Sequence, residues 1–247
     1  MVSPLWTDER GPDGGPLVVL VHGSMDRSTS FGRVARRLQD DSRVVRYDRR
    51  GYGRSARVGG PYTVEQHGRD LVDVLDGRRA AVVMGHSFGA VVALLVAHRH
   101  PELVDAVVAY EPPFSWEPWW PRPGTGPADD PEIAAERFMR RMVGDRVWER
   151  MPSSARDARR EEGAAMLAEA ADLRARPPFD VDALSVTLVA AHGSRSEEHH
   201  QRATIELALR VPGTPIVRVE EADHGAHLTH PQELVAVIRL AQGLAAR

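Results

Sequence analysis

Short apolar runs recur along the chain, separated by polar segments that carry glycine. Leu17 to Val21, Arg43 to Tyr47, Ala80 to Met84, Ala106 to Tyr110, Val186 to Ala190 and Ile216 to Val219 each read as a strand of β-branched and aliphatic residues. Runs that are apolar throughout, instead of alternating, suit strands covered on both faces of a parallel sheet. The intervening segments are long enough for crossover helices. Helical patterns fall over Ser30 to Gln39, Val64 to Leu75, Ala90 to His98, Glu198 to Leu209 and Gln232 to Leu244. Ala90 to Ala97 is apolar around its whole circumference, so as a helix it must be covered on most sides.

The alternation stops between Pro112 and Pro178. Pro112, Pro113, Pro118, Pro121, Pro123, Pro127 and Pro131 crowd a stretch that can form neither regular helix nor interior strand. Beyond it, Ala134, Phe138 and Met142, then Glu162, Met166, Ala170 and Leu173, recur near helical spacing and predict two amphipathic helices. The reading is an α/β core built from residues 1–112 and 179–247, with a helical cap inserted over 113–178.

Composition narrows the chemistry. The 247 residues carry 32 basic and 35 acidic side chains, a net charge of −3, which gives no field for nucleic acid or acidic membranes. Cysteine is absent, removing disulfides, thiolate metal sites and cysteine nucleophiles. Every basic residue is arginine, which excludes a phosphate-loop lysine and a Schiff base to pyridoxal phosphate. Met1 to Thr7 has neither a basic segment nor an apolar core, and Leu17 to Val21 is far too short to cross a membrane. The expectation is a cytoplasmic protein whose partner is a small molecule, with no cofactor, and with a homodimer left open.

Gly85-His86-Ser87-Phe88-Gly89 lies between the strand ending at Met84 and the apolar helix starting at Ala90. This is Gly-x-Ser-x-Gly in the context it requires, a sharp strand-to-helix turn that projects Ser87 above the sheet. The start of that helix favours negative charge, and the Phe88 amide can donate to an oxyanion. A second donor is expected from His22-Gly23-Ser24-Met25 after the first long strand, through the amide of Ser24. Ser87 needs a base, because a free hydroxyl is a poor nucleophile at neutral pH. Of the 11 histidines, His224 follows the last predicted strand and precedes the final helix, at the same edge of the sheet as Ser87.

With these residues in view, the chain resembles the α/β-hydrolase fold family over nearly its full length. The resemblance rests on His22-Gly23, on Asp48-Arg49-Arg50-Gly51-Tyr52-Gly53-Arg54-Ser55, on Gly85 to Gly89, and on Asp223-His224 followed by Pro231. It implies an eight-stranded, mostly parallel sheet with helices on both faces, Ser87 as nucleophile, His224 as base and a lid formed by the insertion. The family usually takes its third member, an aspartate, from the loop after the penultimate strand. Here that loop reads Gly193-Ser194-Arg195-Ser196-Glu197-Glu198, with Ser196 where aspartate is expected. Some members instead place the acid at the end of the strand leading into the lid, which in this chain is Glu111. Glu111 is therefore the assigned acid and Glu197 its competitor.

The remaining positions divide between binding and structure. Met25 and His86 flank the two donor residues, and Phe114, Trp116, Trp119, Trp120 and Phe138 sit in or beside the insertion; together they are the candidate substrate contacts. The tryptophans line an apolar pocket or simply fasten the insertion to the core. Asp48, Arg49 and Ser55 are read as fixing their loop. His227, His230, His199 and His200 suggest zinc by spacing, but His224 and His227 are three apart without a nearby third ligand that sequence can place, so no metal is assigned. The expected activity is cleavage of a carboxylic ester, lactone or thioester through an acyl-enzyme. Serine at position 87 argues against haloalkane dehalogenase and epoxide hydrolase chemistry, for which resembling enzymes use aspartate. Carbon–carbon bond hydrolysis, cofactor-free perhydrolysis and non-catalytic ligand binding stay open as alternatives.

Overall fold

The computed structural model describes residues 4–122 and 130–247; Pro123 and Pro127 of the proline-rich stretch lie outside the described residues. Seven strands form one sheet: β1 (Thr7–Arg10), β2 (Leu17–Val21), β3 (Arg43–Tyr47), β4 (Val82–His86), β5 (Ala106–Tyr110), β6 (Thr187–Gly193) and β7 (Ile216–Val219), in the order β1-β3-β2-β4-β5-β6-β7. All neighbours pair in parallel except β1, which runs antiparallel to β3. The sheet thus has one strand fewer than the eight that the family resemblance implied. β1 escapes a pattern search because Thr-Asp-Glu-Arg has no apolar face; at the sheet edge it is largely exposed and held by its ladder to β3. β4 and β6 run past their predicted ends to His86 and Gly193, the residues that lead into the site.

Helices cover both faces. On one lie α2 (Val64–Leu75), α3 (Phe88–Arg99) and α8 (Glu198–Arg210), packed on Val19, Val21, Val83 and Val107. On the other lie α1 (Gly32–Leu38) and α10 (Pro231–Ala245), packed on Val18, Leu20, Met84 and Val108. Residues 88–97 of α3 are all buried, as its uniformly apolar composition requires. The chain moves from β2 outward to β3 and then returns past β2 to β4. This reversal of direction opens a crevice at the carboxyl ends of β2 and β4, where open α/β sheets bind their ligands.

Among its described residues the insertion contains four helices, not two: α4 (Pro131–Val143), α5 (Asp145–Arg150), α6 (Ser153–Arg160) and α7 (Gly163–Ala175). The periodic pattern finds α4 and α7; α5 is a single short turn and α6 buries no residue, so neither carries an apolar stripe. Ala134, Ala135, Met139, Trp148, Ala165 and Met166 of the insertion close a third apolar cluster on Met25 and Tyr52, from the loops after β2 and β3. No helix among the described residues is long and apolar enough to cross a membrane.

Candidate active site

Ser87 follows β4 directly and starts α3, with φ +52° and ψ −126°, a left-handed conformation that L-residues adopt only where the surroundings impose it. Its amide donates to Tyr110 O at 2.8 Å, tying the turn to β5. The flanking glycines are steric necessities. A Cβ on Gly85 would overlap the backbone of Gly89 and Ala90, and one on Gly89 would overlap the carbonyl of Val21. The spacing Gly-x-Ser-x-Gly therefore lets α3 close on the ends of β2 and β4 and leaves Ser87 at the crest. As the first residue of α3, Phe88 has an amide with no intrahelical acceptor.

His224 lies in the loop between β7 and the short helix α9 (Ala226–Thr229). Its Nδ1–H donates to Glu111 Oε2 at 2.6 Å, which fixes the tautomer and leaves the Nε2 lone pair free to take a proton. Glu111 is fully buried at the end of β5 and is itself held with φ +49°. Its second oxygen accepts from the Gly193 amide at 2.8 Å and from the Ser196 hydroxyl. Burial alone would raise the Glu111 carboxyl, but the hydrogen bond and charge of His224 and the Gly193 amide outweigh it and hold the group below the usual range. Ser196, where resembling proteins carry aspartate, thus donates to the carboxylate that reaches His224 from β5. Glu197 points away: its side chain is 75% exposed and faces His199 at 3.4 Å.

Three side chains expected to meet substrate, Met25, His86 and Phe114, are turned inward. Met25 is buried beneath the insertion against Tyr52 and Trp148. His86 is buried and donates from Nε2–H to the His224 carbonyl at 2.8 Å, so it braces the histidine loop. Phe114 is buried and stacks on Trp116, with ring centroids 4.7 Å apart. Trp119 and Trp120 are half-buried on the core, Arg202 stands over Trp119, and Phe138 packs in the insertion cluster. Trp120 meets His199 and His200 edge-on. The ring of His200 in turn stacks on His224 at 4.3 Å and 22°. Burial, and then the neighbouring His224, push His200 down to about 3, so this ring stays neutral beside the base. Sequence reading weighed His200 only as a metal ligand, because a helix start offers no signal that one of its residues will face another loop.

The loop bearing Ser24 is fastened by a buried polar cluster. Glu169, from α7, is fully buried and accepts from Ser24 Oγ at 2.5 Å, from Tyr52 OH at 2.7 Å and from Arg49 at 2.6 Å, with His67 Nε2 2.9 Å away. Arg49 also donates to the carbonyls of His22 and Gly23. Burial would raise Glu169, but the Arg49 guanidinium outweighs it and the carboxyl falls to about 2. His67 is itself pushed down by burial and by Arg49, so it stays neutral and supplies an N–H, while Arg49 supplies the charge. Asp48 and Ser55 do what was expected of them. Asp48 accepts from the amides of Ser28 and Arg54, and Ser55 Oγ accepts from the Trp6 amide.

This fold and this elbow define an α/β hydrolase, and a sequence model described as the Alpha/beta hydrolase family matches residues 18–237. The chain belongs to that family. Over 102 residues it is 40% identical to an uncharacterized hydrolase, YraK, of Bacillus subtilis, covering 40% of this chain and 38% of that protein. Over 106 residues it is 42% identical to epoxide hydrolase B of Mycobacterium tuberculosis, covering 41% and 30%. The matched part is thus well under half the length of these curated relatives. The crystal structure of an enol-lactonase from Burkholderia xenovorans LB400 is similar over 97% of this chain and 96% of that one, with a TM-score of 0.75. At 21% identity, that is a likeness of fold.

Proposed function

We propose that the protein is a serine hydrolase that cleaves a carboxylic ester, lactone or thioester of a small, largely apolar substrate through an acyl-enzyme. The observation that carries the reading is the 2.6 Å bond between His224 Nδ1–H and Glu111, at the sheet edge where the elbow presents Ser87. With its tautomer so fixed, His224 Nε2 takes the Ser87 proton as Oγ attacks the carbonyl carbon. The carbonyl oxygen becomes an alkoxide, which the amides of Phe88 and Ser24 hold. Collapse expels the alcohol or thiol with the proton from His224, leaving Ser87 acylated. Water, deprotonated by the same ring, attacks the acyl carbon, and the acid departs as Ser87 recovers its proton. Glu111 keeps its negative charge throughout and stabilises the imidazolium at each attack. The half-buried rings of Trp116, Trp119 and Trp120 supply the apolar surface for the acyl group.

The test is hydrolysis of p-nitrophenyl esters of graded chain length by the purified protein beside Ser87→Ala. Turnover in the wild type that is lost in the variant is the expected result, with a chain-length optimum that sizes the acyl site. Equal rates in the two proteins would overturn the assignment of Ser87.

A further inference from the structure

Asp26, His86 and His227 come together from three separate loops, and the proposed acyl transfer uses none of them. Asp26 follows β2 on the Ser24 loop, His86 ends β4 beside Ser87, and His227 lies in α9 behind His224. One carboxylate oxygen and one ring nitrogen from each histidine lie within 4.8 Å of one another. Both histidines are more than nine-tenths buried, at 5% and 3% exposure. His86 spends its Nε2–H on the His224 carbonyl, which leaves the lone pair on Nδ1, and that buried atom has no hydrogen-bond partner. His227 Nδ1 has none either. His227 Nε2 faces Asp26 Oδ2 at 3.2 Å as an ion pair, and the same carboxylate oxygen accepts from Ser30 Oγ at 2.8 Å, so the groups left without any partner are the Nδ1 atoms of His86 and His227. Buried polar atoms left this way are costly, and they ask for an occupant.

The spacing identifies the occupant. Zinc bonds of about 2.0–2.1 Å in a tetrahedron put neighbouring donor atoms roughly 3.3 Å apart, the separation found between His227 Nε2 and Asp26 Oδ2. Ligating histidines characteristically donate their second N–H to a backbone carbonyl, as His86 does to His224. Two imidazoles and one carboxylate favour a d-block dication over calcium or magnesium, which prefer an all-oxygen shell. We infer that Asp26, His86 and His227 form a binding site for one divalent ion of the zinc type, with water in the fourth position. Such an ion would pin the Ser24 loop, the Ser87 elbow and the His224 loop to one another without touching the reacting atoms.

The inference is tested on the full chain, stripped with a chelator and then titrated with cobalt(II), whose visible absorption reports tetrahedral coordination, and dialysed against zinc with elemental analysis. One ion per chain is expected, with a raised melting temperature in the loaded protein. Binding should weaken at least tenfold in His227→Gln and in Asp26→Asn and stay unchanged in His200→Gln. The last variant is informative because Glu111, His200 and His224 form a second group with ligating geometry. A wild type that retains no ion would overturn the inference even if both variants failed to fold, and a water molecule would then be the occupant. Loss of binding in His200→Gln with retention in His227→Gln would also overturn it, moving the ion to Glu111 and His224.

Discussion

At the scale of single residues, the site turns on which carboxylate holds His224. Glu111 has a buried seat, two further hydrogen bonds and a charge stabilised by its partners. Glu197 has solvent on most sides. Glu111→Gln keeps the shape but offers an amide that can turn its N–H₂ toward the ring and favour the wrong tautomer. A fall in kcat of about 10⁴-fold is expected, as for loss of charge at the equivalent position in a serine triad. Glu197→Gln should stay within about twofold, since a surface ion pair contributes little. Steady-state kinetics on one ester, with circular dichroism to verify folding, decides between them; equal losses would reject Glu111 as the acid. Ser196 bears on the same question, because its hydroxyl bonds the carboxylate oxygen that faces away from His224. The position where resembling proteins carry an acid is here occupied by a hydroxyl that donates to Glu111.

At the scale of elements, the packing of α3 against β2 shows why the motif is so strict. Gly89→Ala would drive a methyl group into the Val21 carbonyl, so α3 must back away from the sheet and carry Phe88 with it. A loss of roughly 2–4 kcal/mol in urea unfolding is expected, together with loss of ester turnover; an unperturbed midpoint would show that the close approach is dispensable. This element was legible in the sequence because three signals coincide there: a buried strand, a glycine-flanked serine and a wholly apolar helix. β2, β5 and β6 were legible for the same reason of continuous burial, whereas β1 was not, having no apolar residue to betray it. Ser87 and His224 could be placed at one sheet edge from chain order and loop position, and Glu111 only from the family resemblance. Glu169 could not, because a glutamate on an otherwise mixed helix looks solvated until tertiary packing buries it against Arg49. Asp26, His86 and His227 were hidden by their separation of up to 201 positions, read as 227 minus 26, which no local spacing can reveal.

For the whole molecule, Glu169 joins the insertion to the core by a charge whose pairing with Arg49 makes stability sensitive to acid. Its carboxyl falls from an ordinary 4.5 to about 2 in the folded chain, so the unfolded chain binds its proton first as pH falls. The stabilisation is complete above about pH 4.5, declines through the window down to about pH 2, and amounts to about 3 kcal/mol. Other carboxylates titrate in the same range, so the wild-type profile alone does not isolate this one. Comparison with Glu169→Gln does, because every other group is common to both proteins. At pH 7 the variant leaves Arg49 buried without its counter-charge and should lose about 3–5 kcal/mol. As the pH falls below 4.5, the wild type gives up the same ion pair and the two unfolding curves should converge. Because Trp148 belongs to the insertion while Trp116 and Trp120 pack on the core, fluorescence of single-tryptophan versions would tell detachment of the helices from global unfolding. A stability difference that stayed constant from pH 7 to pH 2 would mean that Glu169 acts through shape and hydrogen bonds alone. The insertion would then be held by its apolar cluster on Met25 and Tyr52, and acid would leave it seated on those loops.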